Sequence, residues 1–178
     1  MKSIKASITL FGLALALCPI AGAQSNQNCQ NVTGGFTEFV IAPFGSPNDP
    51  LGRVVLQING TITGIGTAIL TSVGPGPSPG TLGATTRHLF LVSSGVLQEA
   101  DQITATGVAV FTPIPNSANV QDLLTLTITG GTGKYAGASG TIVAKGTGIN
   151  FFPLPPGPSS ANQSSFSFAL SGQLCTIS

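Results

Sequence analysis

The segment TLTITGGTGKYAGASGTIVAKG, residues 125–146, is the most informative part of the chain for its fold, because it joins two strand-like runs through a cluster of glycines. Threonine alternates with apolar residues before the cluster, and β-branched residues follow it. Glycine adopts the positive φ angles that tight connections need, at little steric cost. We therefore predict a wide, structural connection between two antiparallel strands, formed by Gly130, Gly131, Gly133, Gly137 and Gly140.

The same stretch also contains a pattern found in nucleotide-binding loops. Residues 131–136, GTGKYA, satisfy G-x-G-x-x-A after a strand. That pattern requires a following helix whose N-terminus holds the pyrophosphate, yet Gly137, Gly140 and β-branched residues come next. A P-loop is excluded because Ile128 and Tyr135 occupy its glycine and Ser/Thr positions. We expect no nucleotide and no other cofactor.

The beginning of the chain has the pattern of a secretory signal peptide. Lys2 and Lys5 precede an apolar run, residues 8–20, and small residues follow at 21–23. The run is too short for an ordinary membrane span, and no later segment is suited to stable membrane insertion. We predict cleavage near Ala23, secretion to the periplasm or the extracellular space, and one domain over residues 24–178.

The charge content argues against a nucleic-acid partner. Removing 23 residues from 178 leaves 155, with four basic and five acidic side chains. Such a chain has no basic patch to neutralise phosphates. The mature chain keeps two cysteines, Cys29 and Cys175. In an oxidising compartment we expect them to form a disulfide that ties the two ends together, since a metal site lacks its usual local ligand spacing.

Apolar residues alternate with period two along most of the chain, which is typical of strands with one buried face. The alternation continues through Asn59-Gly60, so we predict one long strand there rather than a two-residue hairpin turn. Eight antiparallel strands closing into a barrel are expected, with a β-sandwich as the alternative. The predicted strands are 36–43, 53–64, 66–72, 84–93, 102–112, 121–129, 139–149 and 163–172.

The segment ITGGTGKYAGASGTI resembles the strand–glycine-loop–strand signature of the allene oxide cyclase-like and dirigent-like barrels, in particular small secreted bacterial members. The similarity is good over residues 121–146 and faint over 84–111. It implies an eight-stranded antiparallel barrel with an apolar interior. Plant members cyclise a fatty-acid epoxide or steer the coupling of phenoxy radicals. Their catalytic carboxylates match no position of this chain, so the resemblance implies no catalytic residue here.

Few residues are candidates for chemistry. His88 is the single histidine, beside Arg87 on a predicted strand, and no nucleophile elbow or metal-ligand spacing accompanies it. His88 either has a structural role or lines a ligand pocket. Glu99 and Asp101 share one face of a strand, where paired carboxylates either serve acid–base chemistry or guard a solvated edge. These four are the polar candidates for a ligand pocket.

Phe151 and Phe152 lie in NFFPLPPG, a proline-stiffened segment that also contains Leu154. They either plug one mouth of the barrel or form a lid or a contact patch. We expect a modest apolar cavity near this segment, because the chain has no tryptophan and bulky rings alone cannot fill the interior.

Three functions are compatible with these observations. The first is non-catalytic binding of an apolar small molecule or a partner outside the cell. The second is a cofactor-free cyclase or isomerase acting on a lipid-like or phenolic substrate, and the third is a structural extracellular protein. Ionisable groups that point into the barrel would distinguish the second from the first.

Overall fold

The computed structural model describes residues 27–46, 49–93, 101–151 and 164–177. The predicted signal peptide, together with Glu99, Phe152 and Leu154, lies outside the described residues. Eight strands and one short 3₁₀ turn, Gly133–Tyr135, make up the described structure. The strands are β1 Gln27–Ser46, β2 Asp49–Gly60, β3 Gly64–Pro75, β4 Leu82–Val92, β5 Asp101–Pro113, β6 Val120–Gly131, β7 Ser139–Ile149 and β8 Ser165–Ile177.

Each strand pairs antiparallel with its neighbour in the chain, and β1 pairs with β8, so the sheet closes on itself. The predicted eight-stranded antiparallel barrel is confirmed, and the β-sandwich is excluded. Closure removes the exposed sheet edges that would otherwise pair with other chains. No helix among the described residues is long and apolar enough to cross a membrane.

Side chains alternate between the interior and the solvent, as the period-two pattern predicted. β5 shows this clearly, because alternate residues from Ile103 to Phe111 are buried while Thr106 and Val108 are exposed. Glycines at inward positions make room for rings on the neighbouring strand. Gly146 and Gly148 on β7 lie opposite Phe168 and Phe166 on β8. A Cβ at Gly146 would come within 2.8 Å of Cδ1 of Phe168.

The glycine cluster forms the connection between β6 and β7, as expected. Gly130, Gly133, Gly137 and Gly140 all have positive φ. No helix capable of holding a pyrophosphate follows, because β7 begins at Ser139. Instead, the backbone N–H of Lys134 donates to Oδ1 of Asp101 at 3.3 Å, and Nζ of Lys134 lies 3.7 Å from Oδ2. The loop therefore contacts the start of β5 at this end of the barrel.

The disulfide between Cys29 and Cys175 is present. The two residues are directly opposed on β1 and β8, at the same end of the barrel as the glycine loop. The bond therefore locks the strand pair that closes the barrel.

Several predicted strand boundaries are corrected, and β8, for example, ends at Ile177 rather than at residue 172. The first strand begins at Gln27 rather than at residue 36, because its polar first half buries Val32 but lacks a visible apolar alternation. The second strand ends at Gly60 instead of continuing to residue 64, so the prediction of one long strand through Asn59-Gly60 is wrong, and the chain turns back directly after it to form β3. Ile62, in the connection to β3, is nevertheless buried, which explains why the alternation continues past the strand end.

Candidate functional site

One half of the barrel interior is closely packed and the other half is open. Around Phe36, Ile103 and Leu126 only about 10 Å³ of free space remains. Towards the end where β7 leads into β8, the interior contains a cavity of about 310 Å³. A cavity of this size falls at the lower end of the range for small-molecule sites. Its apolar wall includes Val40, Val54, Leu70, Phe111, Leu124 and Phe166.

Aromatic rings form one side of this cavity. Phe111 on β5 stacks on Phe151 with ring centroids 4.7 Å apart, and Phe151 meets the ring of Phe166 edge-on at 5.7 Å. The backbone N–H of Phe151 donates to the carbonyl of Ala118 at 2.9 Å, which fixes this residue just after β7. Phe151 therefore packs against the core and narrows the cavity.

Three ionisable side chains reach the cavity from three different strands. Glu38 on β1, His88 on β4 and Asp122 on β6 all line it, and each is at least nine-tenths buried. They face inward because each occupies an inward position of its strand's alternation. Arg53 also lines the cavity, but its side chain is exposed at the mouth. The polar groups thus lie deep in an otherwise apolar space.

The imidazole of His88 is held on one side only. Its Nε2 lies 2.8 Å from Oγ1 of Thr86, a buried hydroxyl on the same strand. Its Nδ1 lies 4.0 Å from Oε1 of Glu38, which is too long for a hydrogen bond. Among the described residues, Nδ1 of His88, Oε1 of Glu38 and Oδ1 of Asp122 are buried polar atoms without a hydrogen-bond partner.

Burial determines the charge state of the three groups. Loss of hydration, with a smaller contribution from the nearby Asp122 carboxyl, raises the pKa of Glu38 to about 8. Loss of hydration also raises the pKa of Asp122 to about 8 and lowers the pKa of His88 to about 4. At neutral pH the site therefore holds two carboxylic acids and a neutral imidazole.

Such a combination is unusual in a stable core. A buried polar atom without a partner costs about 1–3 kcal/mol, so in a native protein a bound water, an ion, local strain or a functional role normally accounts for it. Buried acids with raised pKa values can donate hydrogen bonds or protons at neutral pH. The geometry therefore provides polar groups that are ready to contact a molecule inside the cavity.

The structure brings together only some of the residues that the sequence suggested. His88 and Phe151 line the cavity. Arg87 lies between Thr86 and His88 on the outer, exposed face of β4, because neighbouring residues of a strand point to opposite sides. Asp101 is at the opposite end of the barrel, beside the glycine loop. The candidate residues Glu99 and Phe152 lie outside the described residues.

The site residues predicted from the sequence do not include Glu38, Asp122 or Thr86. For Asp122 a signal was available, since it is in phase with the apolar residues Leu124, Leu126 and Ile128 of one strand. A carboxylate at an inward position of such a run is a candidate site residue. As for metals, the described part of the chain holds no cluster of three or more His, Cys, Asp or Glu side chains suited to an ion.

A second depression, on the outer wall, is a weaker candidate. Phe39, Val55, Ile65 and Leu91 line this groove, and no ionisable side chain does so. It provides apolar surface but no chemistry, whereas the interior cavity provides both.

No known protein family matches this chain, and neither does any curated protein sequence. Among solved structures, the chain is similar to a pterocarpan synthase dirigent protein, with 12% sequence identity over 85% of this chain and 86% of that chain, and a TM-score of 0.31. The eight-stranded barrel is confirmed by the structure itself, and membership of the dirigent-like or allene oxide cyclase-like proteins remains a prediction. The function proposed below therefore rests on this chain's own cavity.

Proposed function

We propose that this protein binds a small, mainly apolar molecule inside the barrel. The observation that supports this most strongly is the cavity of about 310 Å³, with an apolar wall and unpartnered polar atoms of Glu38, His88 and Asp122. Apolar walls with a few well-placed polar groups are typical of small-molecule sites. The polar groups orient the ligand, and burial of its apolar surface supplies most of the binding free energy.

The protein acts outside the cytoplasm, after removal of a signal peptide near Ala23. The Cys29–Cys175 disulfide supports this part of the proposal, because structural disulfides persist in oxidising compartments. N-terminal sequencing of the protein recovered from its native host tests the cleavage site. A mature protein that begins with Met1 would contradict this part.

Native mass spectrometry of the protein purified from its native host tests ligand binding directly. We expect a co-purifying small molecule that adds a defined mass to the folded protein and is released on denaturation. A protein that carries no ligand, and whose melting temperature responds to no member of an apolar compound library, would contradict the proposal.

Two neighbouring residues of β5 offer a matched pair of variants for the same question. Ala109 lines the cavity, whereas Val108 is 58% exposed on the outer face. Ala109→Phe places a ring into the cavity and should abolish binding, and Val108→Phe should leave it unchanged. Ala109→Leu introduces a smaller side chain and should weaken binding. This variant keeps the test valid if the phenylalanine variant folds poorly. Equal binding by all variants would place the ligand elsewhere.

A second candidate function is a cofactor-free isomerase or cyclase. The observation that favours it is the pairing of buried carboxylic acids with a neutral imidazole 4.0 Å from one of them. An acid can donate a proton to a ligand oxygen while the imidazole accepts one from a neighbouring carbon. Acid–base catalysis of this kind needs no cofactor.

Hydrogen exchange distinguishes catalysis from binding. A ketone such as 2-acetylnaphthalene is incubated with the protein in D₂O, and mass spectrometry follows deuterium uptake at its methyl group. A catalyst should accelerate the uptake, and the Glu38→Gln and His88→Gln variants should lose the acceleration. If deuterium uptake proceeds at the rate of the protein-free control, the protein does not catalyse the exchange and the binding function alone is supported.

A further inference from the structure

We propose that the cavity selects an uncharged ligand through an oxygen that accepts hydrogen bonds from the carboxyl groups of Glu38 and Asp122, and that alkaline solution releases this ligand. The inference rests on the proposed binding function and adds the chemical class of the ligand and a means of controlling its release. Its basis is the geometry of the two carboxyl groups inside the cavity.

One oxygen of each carboxyl group has no hydrogen-bond partner within the described structure. Oε1 of Glu38 and Oδ1 of Asp122 are buried, and neither forms a hydrogen bond. Both side chains line the same cavity, although they come from β1 and β6. A ligand oxygen between the carboxyl groups would supply the missing contact, and a ketone, ether or epoxide offers only acceptor lone pairs. A ligand of this kind therefore suits carboxyl groups that donate hydrogen bonds.

The charged and titratable groups around the cavity favour the acid form of these carboxyls. The described ionisable residues lining it are Glu38 on β1, Arg53 on β2, His88 on β4 and Asp122 on β6. His88 is neutral, and Arg53 is exposed to solvent at the mouth, so no buried cation balances two carboxylates. Ionising both groups would place like charges together in an apolar space.

The same arrangement works against a carboxylate ligand. An anion deep in the cavity would lose its hydration, and no buried cation among the described lining residues would balance its charge. It would reach Arg53 only at the mouth. A neutral oxygen-bearing molecule should therefore bind better than an anion of the same shape.

Alkaline release follows from the loss of the donated protons. Because the pKa values of Glu38 and Asp122 are raised to about 8, both groups donate hydrogen bonds at neutral pH and ionise above that range. Each carboxylate then presents lone pairs to the ligand oxygen and draws water into the cavity. Affinity for the neutral oxygen-bearing ligand should fall as the pH rises through 8.

Three probes of nearly the same shape test the inference on the full mature protein. 2-Acetylnaphthalene carries a carbonyl oxygen, 2-ethylnaphthalene carries none, and 2-naphthoate carries a negative charge. Dissociation constants are measured by fluorescence or calorimetry between pH 6 and pH 10. At pH 6 we expect the ketone to bind about tenfold more tightly than the hydrocarbon, as one or two hydrogen bonds provide, and naphthoate to bind most weakly.

The results separate this inference from the proposed function. If the hydrocarbon binds as tightly as the ketone, or if the preference for the ketone persists unchanged at pH 10, this inference is overturned while small-molecule binding stands. The same conclusion follows if naphthoate binds most tightly. If none of the probes binds and no ligand co-purifies, both proposals fail.

Isosteric variants identify the groups responsible. Glu38→Gln and Asp122→Asn retain an N–H donor but no longer titrate in this range, so the double variant should keep its preference for the ketone at pH 10. Glu38→Leu removes the donor and should lower the ketone preference at every pH. Circular dichroism confirms that each variant is folded, and the pH titration of the wild-type protein alone remains decisive. A double variant with wild-type pH dependence would contradict the assignment.

Discussion

Oε1 of Glu38 lies 4.0 Å from Nδ1 of His88 inside the barrel, although the two residues come from strands β1 and β4, which are not neighbours in the sheet. Burial leaves the acid protonated and the imidazole neutral at pH 7, so the pair is not an ion pair. Neither atom has a hydrogen-bond partner within the described residues. The two unpaired polar atoms therefore lower the stability of the fold locally.

Stability should fall as the pH rises from about 6.5 to 8. The folded pKa values of Glu38 and Asp122, about 8, exceed their ordinary values of 4.5 and 3.8, so the folded state binds these protons more tightly. The stability that these two groups contribute to the folded state is fully present below about pH 4 and is lost as the pH rises through 8. Two such groups give a slope of up to about 3 kcal/mol per pH unit.

His88 has the opposite effect in acid. Its pKa falls from 6.5 to about 4 on folding, so its contribution is present above 6.5 and is lost as the pH falls through 4. Between 6.5 and 8 only the carboxyl groups act, and the decline is steepest there. Urea unfolding at a series of pH values measures how the free energy of unfolding changes with pH. In the Glu38→Gln/Asp122→Asn double variant this dependence should be flatter. Asp101→Asn, outside the cavity, should leave it unchanged, and a flat wild-type profile would contradict the burial argument.

Gly107→Ala should destabilise the barrel by about 1–3 kcal/mol through overpacking. A Cβ at this inward position of β5 would overlap Oγ1 of Thr86 and lie 2.9 Å from Cδ1 of Leu124. The displaced Thr86 hydroxyl would also leave Nε2 of His88, which should change the imidazole NMR signals. Gly74→Ala is the matched control, because a Cβ there meets nothing within 4 Å, and denaturant unfolding compares the two. Equal stability of both variants would show that the interior adjusts freely.

Gly133→Val should lower stability by about 1–3 kcal/mol, because φ is +58° at this position and a Cβ would collide with Oδ1 of Asp101. Gly131→Val should have a similar effect, since its Cβ would lie 2.8 Å from Cβ of Tyr135. Gly74→Val serves as the control for the same substitution. Differential scanning fluorimetry measures all three, and NAD or ATP should not shift the melting temperature of the wild-type protein. A reproducible shift with either nucleotide would support a nucleotide site in the loop.

Reduction of the Cys29–Cys175 disulfide should destabilise the protein by about 2–5 kcal/mol. The bond links the first and last strands, so its loss frees both ends of the unfolded chain. Intact mass measured before and after reduction should differ by two hydrogens, and unfolding curves give the loss of stability. The Cys29→Ser/Cys175→Ser variant should have the stability of the reduced protein, and adding reductant should not change it. Two free thiols in the unreduced, unfolded protein would contradict the pairing.

The strand alternation and the glycine cluster were sufficient to predict an eight-stranded antiparallel barrel, because both signals are local. A period-two pattern assigns one face to the core, and glycines mark the connection between two strands. The start of β1 was missed because its residues are mostly polar. Only pairing with β8, which brings Cys29 opposite Cys175, shows that Gln27 already belongs to the sheet.

The candidate site was harder to predict, since its members are far apart in the chain. Glu38 lies in the segment FTEFVIA, residues 36–42, in which both faces of the strand carry apolar residues. Phe36 and Val40 lie on the same face as Glu38, and Phe39 and Ile41 lie on the other face. The pattern therefore does not show which face points into the barrel. Exposure of Phe39 and Ile41 in the barrel shows that Glu38 points inward.

Local sequence patterns and composition were enough to predict the strands, their antiparallel arrangement, the glycine connection and the two cysteines available for a disulfide. Tertiary structure alone decided that Glu38, His88 and Asp122 share one cavity, while Arg87 and Asp101 lie outside it. The physical reason is barrel closure, which brings inward positions of distant strands together in a shared interior. Their burial and raised or lowered pKa values follow from that closure and from no local pattern.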